Sequence, residues 1–411
     1  MSTKVDFCLT LWEVPAKVNW LEKQATIFEE SGTLKSGVSN PSEGRRARLL
    51  RLDVGREPFR LEMGGQLAQL DVAFETFGTL SSKRNNAVLI THALAADSHV
   101  AGSQAPGDRR GWWDEVVGPG KPIDTDRFFV ICPNILGSCH GTTGPSSTDP
   151  LTGAPYGPRF PRIAVGDWVT VHGRLLDALG IERLFAVAGG SLGGQQALEL
   201  ALRFPDRVSR AVVVAAAARL SAQGLAFNAC GRTAIVNDPN FNGGDYYGKA
   251  HPTSGLSAAR MMANITYLSE EGMRGTFGRR LRESQGAAAT DALEAEFAVE
   301  EYVAEQGRQF AAEFDANSYL AISRAMDHYD AAVWGGGDLL KACERIEASV
   351  LLLSFDSDWL YPPKDCRELA LALIRAGKRV HHANIPSAHG HDSFLLGSPM
   401  MNSFIHAFLD G

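Results

Sequence analysis

The chain contains no apolar run approaching the roughly 18 residues that cross a bilayer, so no membrane-spanning helix is expected in its 411 residues. Cysteine is scarce and scattered: Cys8, Cys132, Cys139, Cys230, Cys343 and Cys366 show no C-x-x-C spacing. That scatter excludes a disulfide framework and fits the reduced thiols of a cytoplasmic protein. There is no H-E-x-x-H and no second His/Cys cluster at ligand spacing, so no metal is expected. Basic charge is not in excess, with 40 Lys and Arg against 47 Asp and Glu for a formal net charge of −7. With no Lys/Arg cluster interleaved with aromatics, a nucleic-acid partner is not expected. Near the start, Phe7 to Trp12 is too short for a signal peptide and is ended by Glu13. Asp6, Glu22, Glu29 and Glu30 count against a transit peptide. Internal repeats and long low-complexity tracts are missing too.

What remains is an ordinary globular composition, 45% apolar and 21% charged, in a chain long enough for a large core. Residues 1–47 differ from the rest. Their end, Thr33 to Arg48, is rich in Gly, Ser, Asn, Pro and Arg and reads as a linker, so this segment is set apart as an extension of unknown role. From there the pattern becomes regular. Strands are predicted over 70–77, 87–91, 128–132, 184–188 and 211–214, with a helix over 167–179. Buried strands alternating with helices imply a mostly parallel sheet covered on both faces. The rhythm stops near residue 218. Helical spacing appears over 256–268 and 291–314, where Val299, Tyr302, Val303, Phe310 and Phe314 form a stripe that reads as core packing. Strands resume over 349–354 and 380–385. The predicted organisation is an α/β core in two parts, 48–217 and 347–411, interrupted by a helical insertion over 218–346. Such an insertion would cap the carboxyl edge of the sheet, where open α/β folds place their sites.

One motif carries chemistry. The apolar run Leu184 to Ala188 leads into Gly189-Gly190-Ser191-Leu192-Gly193-Gly194 and then into the helical Gln195 to Ala201. Strand, G-x-S-x-G, helix describes a nucleophile elbow, although a plain glycine-rich turn has the same letters. A serine hydroxyl needs a base, and the base needs an acid to hold its tautomer. In α/β-hydrolase folds these follow in the order Ser, Asp or Glu, His. Asp356 and Asp358 follow the 349–354 strand, and His389 and His391 follow the 380–385 strand; chemistry alone leaves both pairs open. The oxyanion hole would use the amide of Leu192 and that of Leu94, or its neighbour, after the 87–91 strand. His92 reads as a structural hydrogen-bonding residue and Cys139 as a packing residue. The Gly/Thr-rich loop over 134–145 lacks the G-K-[ST] ending of a phosphate loop.

Taken in series, these segments resemble the homoserine O-acetyltransferase family of α/β-hydrolase-fold acyltransferases. The resemblance runs from about residue 50 to 411. It rests on Leu89 to Leu94, Gly111 to Asp114, Val117 to Lys121, Leu136 to Ser147 and Gly189 to Gly194. It continues through Arg219 to Gln223, Asn242 to Tyr247, Asp315 to Tyr319, Phe355 to Pro363 and Gly390 to Leu395. It implies Ser191 as nucleophile, Asp358 as orienting acid and His391 as base, with Arg232 and Asp392 against the substrate amino acid. It also implies acetyl-CoA as co-substrate with no permanently bound cofactor, L-homoserine as acceptor, O-acetyl-L-homoserine for methionine biosynthesis as product, and a homodimer formed through the insertion. Related enzymes use succinyl-CoA or act on serine, and esterases share the fold. The form Gly141-Thr142-Thr143-Gly144-Pro145 resembles the acetyl branch. The chain departs from the family at Ala95-Ala96-Asp97, at His389 and in residues 1–47.

Overall fold

The computed structural model describes residues 47–52, 58–102, 109–282 and 295–411. The extension expected over 1–47 lies outside them except for its last residue. Eight strands form one sheet: β1 (Arg48–Leu52), β2 (Leu70–Phe77), β3 (Ala87–Thr91), β4 (Phe129–Pro133), β5 (Ala186–Gly190), β6 (Arg210–Val214), β7 (Ser349–Phe355) and β8 (Val380–Ile385). Their spatial order is β1-β2-β4-β3-β5-β6-β7-β8. Only β2 runs against its neighbours, pairing antiparallel with β1 and β4; every other pair is parallel. This is an α/β-hydrolase fold with a mostly parallel sheet.

Both faces of the sheet are buried because successive side chains of its apolar strands point to opposite sides. Leu89, Ile131 and Val187 face one core, filled by α1 (Val165–Ala178), α2 (Leu192–Arg203) and α9 (Pro363–Arg375). Val88, Ile90, Val212 and Val214 face the other, closed by Met401, Ile405 and Leu409 of α10 (Pro399–Asp410). The strand read over 184–188 is shifted to 186–190. Leu184 makes only an isolated bridge to Val208, whereas Gly189 and Gly190 complete the ladder opposite Thr91 and Val214. The glycines read as a turn are therefore the last rungs of the strand.

Between β6 and β7 the described residues contribute no strand to the sheet. They form α3 (Ala222–Val236), α4 (Thr253–Tyr267), α5 (Glu270–Thr276), α6 (Ala298–Glu313), α7 (Ala316–His328) and α8 (Leu339–Cys343). The helix read from 291 starts at Ala298, with Phe297 extended at its N-cap. Two of the motif segments staple this region. Asp315 caps α7 by accepting from Ser318 N and also accepts from the hydroxyls of Tyr246 and Tyr247, at 2.6 and 3.0 Å. Asn317 donates to the carbonyl of Gly244 at 2.9 Å. No helix of the described residues is long and apolar enough to cross a membrane.

Candidate active site

Ser191 sits between β5 and α2 with φ 58° and ψ −127°, a left-handed backbone that costs on the order of 1–3 kcal/mol and that β-carbon-bearing residues rarely adopt. Close packing around the turn needs Gly190 and Gly193: a Cβ on Gly190 would collide with the Phe394 ring, and one on Gly193 with the carbonyl oxygen of Thr91. Leu192 opens α2, so its amide is among the first four of the helix and has no intrahelical acceptor. Leu94 is buried on the loop after β3 and lines the same cavity as Ser191.

A hydrogen-bond network fixes the segments that carry Leu94 and Leu192 relative to each other. Thr91 Oγ1 donates to the carbonyl of Gly193 at 2.7 Å, tying the end of β3 to the start of α2. Gln196 Nε2 donates to the carbonyl of His92 at 2.9 Å, while its Oε1 lies 3.1 Å from His172 Nε2. Burial holds the His172 pKa down at about 4, so it stays neutral and serves as the donor to that oxygen. His92 lies 2.8 Å from the carbonyl of Ala93 through Nδ1, and its Nε2 accepts from Ile135 N at 3.1 Å. Burial, the largest influence, lowers its pKa. With both nitrogens engaged, His92 is a brace for the loop, not a base.

The two carboxylates differ in their surroundings. Asp358 is buried; its Oδ2 lies 2.7 Å from His391 Nδ1, and its Oδ1 accepts from Leu360 N and Tyr361 N at 3.0 and 2.9 Å. Asp356 is exposed and accepts from Ser387 N at 2.8 Å. The two histidines separate as clearly. His391 is buried, whereas His389 is exposed. Burial opposes protonation of His391, but the charge and hydrogen bond of Asp358, aided by Asp392, outweigh it and raise the pKa above the usual value. Its Nε2 has no hydrogen-bond partner among the described residues, and the ring shares the cavity with Ser191. Tyr267, Tyr361 and Phe394 enclose that ring at centroid distances of 6.0, 5.5 and 5.5 Å. Trp113 Nε1 donates to the carbonyl of Phe394 at 2.9 Å, which anchors the histidine loop.

The helical insertion roofs the site. Trp359, next to Asp358, donates to the carbonyl of Leu268 just beyond α4 at 2.9 Å. Asp392 lines the cavity. Arg232 does not stand beside it: the guanidinium is buried behind the wall, with Nη2 2.6 Å from Asp327 Oδ2 and Nη1 donating to Ser323 Oγ at 3.3 Å. Its charge is thus matched within the protein. Three arginines line the cavity: Arg109 and Arg110 are paired with Asp97 and Asp114, whereas Arg260 of α4 is buried, its Nε has no hydrogen-bond partner among the described residues, and it lies 5.3 and 4.9 Å from the ring centroids of Tyr267 and Phe310. The sequence held a signal for it, since Arg260 is the one charged residue of Thr253–Tyr267. The same signal marks Arg232 in Ala222–Val236, and only the partner on α7 tells the two apart.

The Gly141 to Pro145 loop does not line the cavity. Thr142 Oγ1 accepts from Ala73 N and donates to the carbonyl of Asn134, and Thr143 Oγ1 accepts from Asp71 N. These hydroxyls fasten the loop to β2. Burial pushes the Cys139 thiol up to about 12, consistent with packing. Among the described residues no group of three or more His, Cys, Asp or Glu side chains is arranged to hold a metal ion. In all, the arrangement brings a strained serine and a histidine paired with a buried carboxylate into one cavity, beneath a roof that carries two buried arginines, Arg232 and Arg260.

Residues 86–395 match a family model described as the alpha/beta hydrolase fold. The homoserine O-succinyltransferase of Cupriavidus taiwanensis is 50% identical over 359 residues, 86% of this chain and 90% of that one. Its counterpart from Laribacter hongkongensis is 49% identical over 357 residues, 86% and 93% of the two chains. Among solved structures, homoserine O-acetyltransferase from Bacillus anthracis superposes with a TM-score of 0.81 at 29% identity, covering 89% of this chain and 98% of that one. Esterase E22 superposes with a TM-score of 0.79 at 30% identity, covering 88% and 99%.

Proposed function

This chain belongs to the homoserine O-acyltransferase family of the α/β-hydrolase fold, and we propose that it moves an acyl group from a CoA thioester to the hydroxyl of L-homoserine through an acyl-enzyme. The observation that carries the reading is the Asp358–His391 pair, whose free Nε2 shares a cavity with Ser191. His391 takes the Ser191 proton as Oγ attacks the thioester carbonyl, and the amides of Leu94 and Leu192 receive the oxyanion. The C–S bond breaks and CoA leaves with the proton. Homoserine then enters, His391 removes its hydroxyl proton, and the oxygen attacks the acyl carbon. Ser191 recovers its proton as the ester product leaves.

For the acceptor we assign Asp392 to the ammonium, and we move the carboxylate partner from Arg232 to Arg260. A buried cation without a carboxylate partner among the described residues suits an anionic ligand, whereas Arg232 already pairs with Asp327. Arg260→Ala is expected to lower acceptor efficiency about ten- to a hundred-fold while CoA release in the first half-reaction keeps its amplitude. Arg232→Ala is expected instead to lower the melting temperature, because it leaves a buried carboxylate unpaired, a change worth roughly 3–5 kcal/mol. Stopped-flow half-reactions and thermal melts on both variants check this. An acceptor-specific loss confined to Arg232→Ala would reverse the assignment.

The donor proposed is succinyl-CoA, with acetyl-CoA, which the loop resemblance implies, as the competing case. Support comes from the relatives that share about half their residues with this chain and are named succinyltransferases. Acetyl-CoA and succinyl-CoA would each be offered with homoserine, serine or no acceptor, and product mass and CoA release measured. Homoserine should accelerate CoA release from succinyl-CoA more than about tenfold over acetyl-CoA. Preference for acetyl-CoA would overturn the donor. Release indifferent to homoserine would favour the hydrolase reading that the likeness to esterase E22 supports.

A further inference from the structure

The wall between the cavity and Arg232 is Asn228, one turn earlier on α3, which lines the cavity. Its Nδ2 donates to Asp327 Oδ1 at 2.8 Å, and the other oxygen of that carboxylate is 2.6 Å from Arg232 Nη2. The side chains of Arg232 and Asp327 are only 8% and 10% exposed. A carboxylate whose one oxygen faces a guanidinium at 2.6 Å presents its other oxygen as a hydrogen-bond acceptor. The amide of Asn228 must therefore turn its nitrogen towards Asp327 and its carbonyl oxygen away from it, to the cavity. Charge fixes this orientation, where an isolated amide would be free to flip.

An amino-acid acceptor brings a carboxylate, a hydroxyl that must reach His391, and an ammonium with three N–H donors. Asp392 alone does not satisfy three N–H donors, and a locked acceptor oxygen on Asn228 adds a partner for them. We propose that Asn228 Oδ1 accepts a hydrogen bond from the ammonium of the acceptor amino acid, in an orientation set by its contact with Asp327. This rests on the reading of the chain as an acyltransferase to an amino acid.

The test is Asn228→Leu, similar in size but without the oxygen, assayed with L-homoserine and with 4-hydroxybutanoate, the same chain without the ammonium. Where turnover of the latter is too slow, it is measured as a competitive inhibitor. Efficiency with homoserine should fall about tenfold, mostly through KM, while the constant for 4-hydroxybutanoate changes less than about threefold and discrimination between the two collapses accordingly. The CoA burst without acceptor counts competent active sites in the same sample, so partial misfolding does not enter the comparison. Equal losses for both acceptors, or an unchanged homoserine KM, overturn the proposal. If the wild type gives a CoA burst that homoserine does not resolve, the transferase reading fails first and this assignment with it.

Discussion

Ser191→Ala is expected to remove acyl-enzyme formation and turnover together, with a loss of at least about a thousandfold in kcat. The size of the effect follows from the absence of a substitute. The remaining hydroxyls around the cavity belong to Thr266 and to tyrosines, and burial raises the pKa values of Tyr267, Tyr319 and Tyr361. Cys139 lies outside the cavity lining with its thiol pushed up to about 12. Stability should not suffer, because alanine at the left-handed position makes no new contact and the turn is held by the glycines around it. Incubation with the CoA donor should add one acyl mass to the wild type, on the peptide containing Ser191, and none to the variant. Residual turnover above about a thousandth of the wild-type rate would mean that another group is the nucleophile.

The elbow was legible because its requirements are local. A strand, two glycines, a serine and a helix follow one another in nine or ten residues, and the clash awaiting any side chain at Gly193 explains why the letters are so constrained. The order of acid and base was legible too, since each follows a strand whose apolar run is unmistakable. Choosing between Asp356 and Asp358 was not a local matter. Both lie past the end of β7, and what separates them is a 2.7 Å contact with a residue 33 positions away. The roof shows the same limit. Its helices carry apolar faces, but α3 buries only four of its residues and has no periodic core stripe to announce it. Arg232 and Arg260 are each the lone charge on such a helix, and sequence neighbourhood cannot say which has an acid waiting on α7. The motif segments around Tyr246 and Asp315 are likewise ambiguous on the page, where conspicuous polar letters suggest chemistry. In the fold they bond to each other and hold the roof together.

Asp358→Asn should produce a loss approaching ten-thousandfold in kcat with the fold intact. The wild-type carboxylate divides its work, Oδ1 accepting from the amides of Leu360 and Tyr361 and Oδ2 meeting His391 Nδ1. An asparagine that keeps its oxygen on the two amides must place its nitrogen against the histidine. Nδ1 then becomes an acceptor and the ring proton moves to Nε2, so the atom facing Ser191 carries a hydrogen where a lone pair is needed. Turning the amide round would restore the tautomer only by setting its NH2 group against two backbone N–H groups, which is the worse arrangement. Charge adds a second signature. The Asp358 carboxylate outweighs burial to raise the His391 pKa, and the base works only when neutral. Wild-type activity should therefore rise with pH through a midpoint above the usual histidine value, and in the variant the acid limb should move to lower pH beneath a much reduced plateau. Asp356→Asn should change kcat by no more than a few-fold, because the exposed side chain keeps an oxygen for Ser387 N. pH–rate profiles of the two variants decide the matter. A larger loss in Asp356→Asn, or an unmoved acid limb in Asp358→Asn, would show that the 2.7 Å contact does not set the protonation of the base.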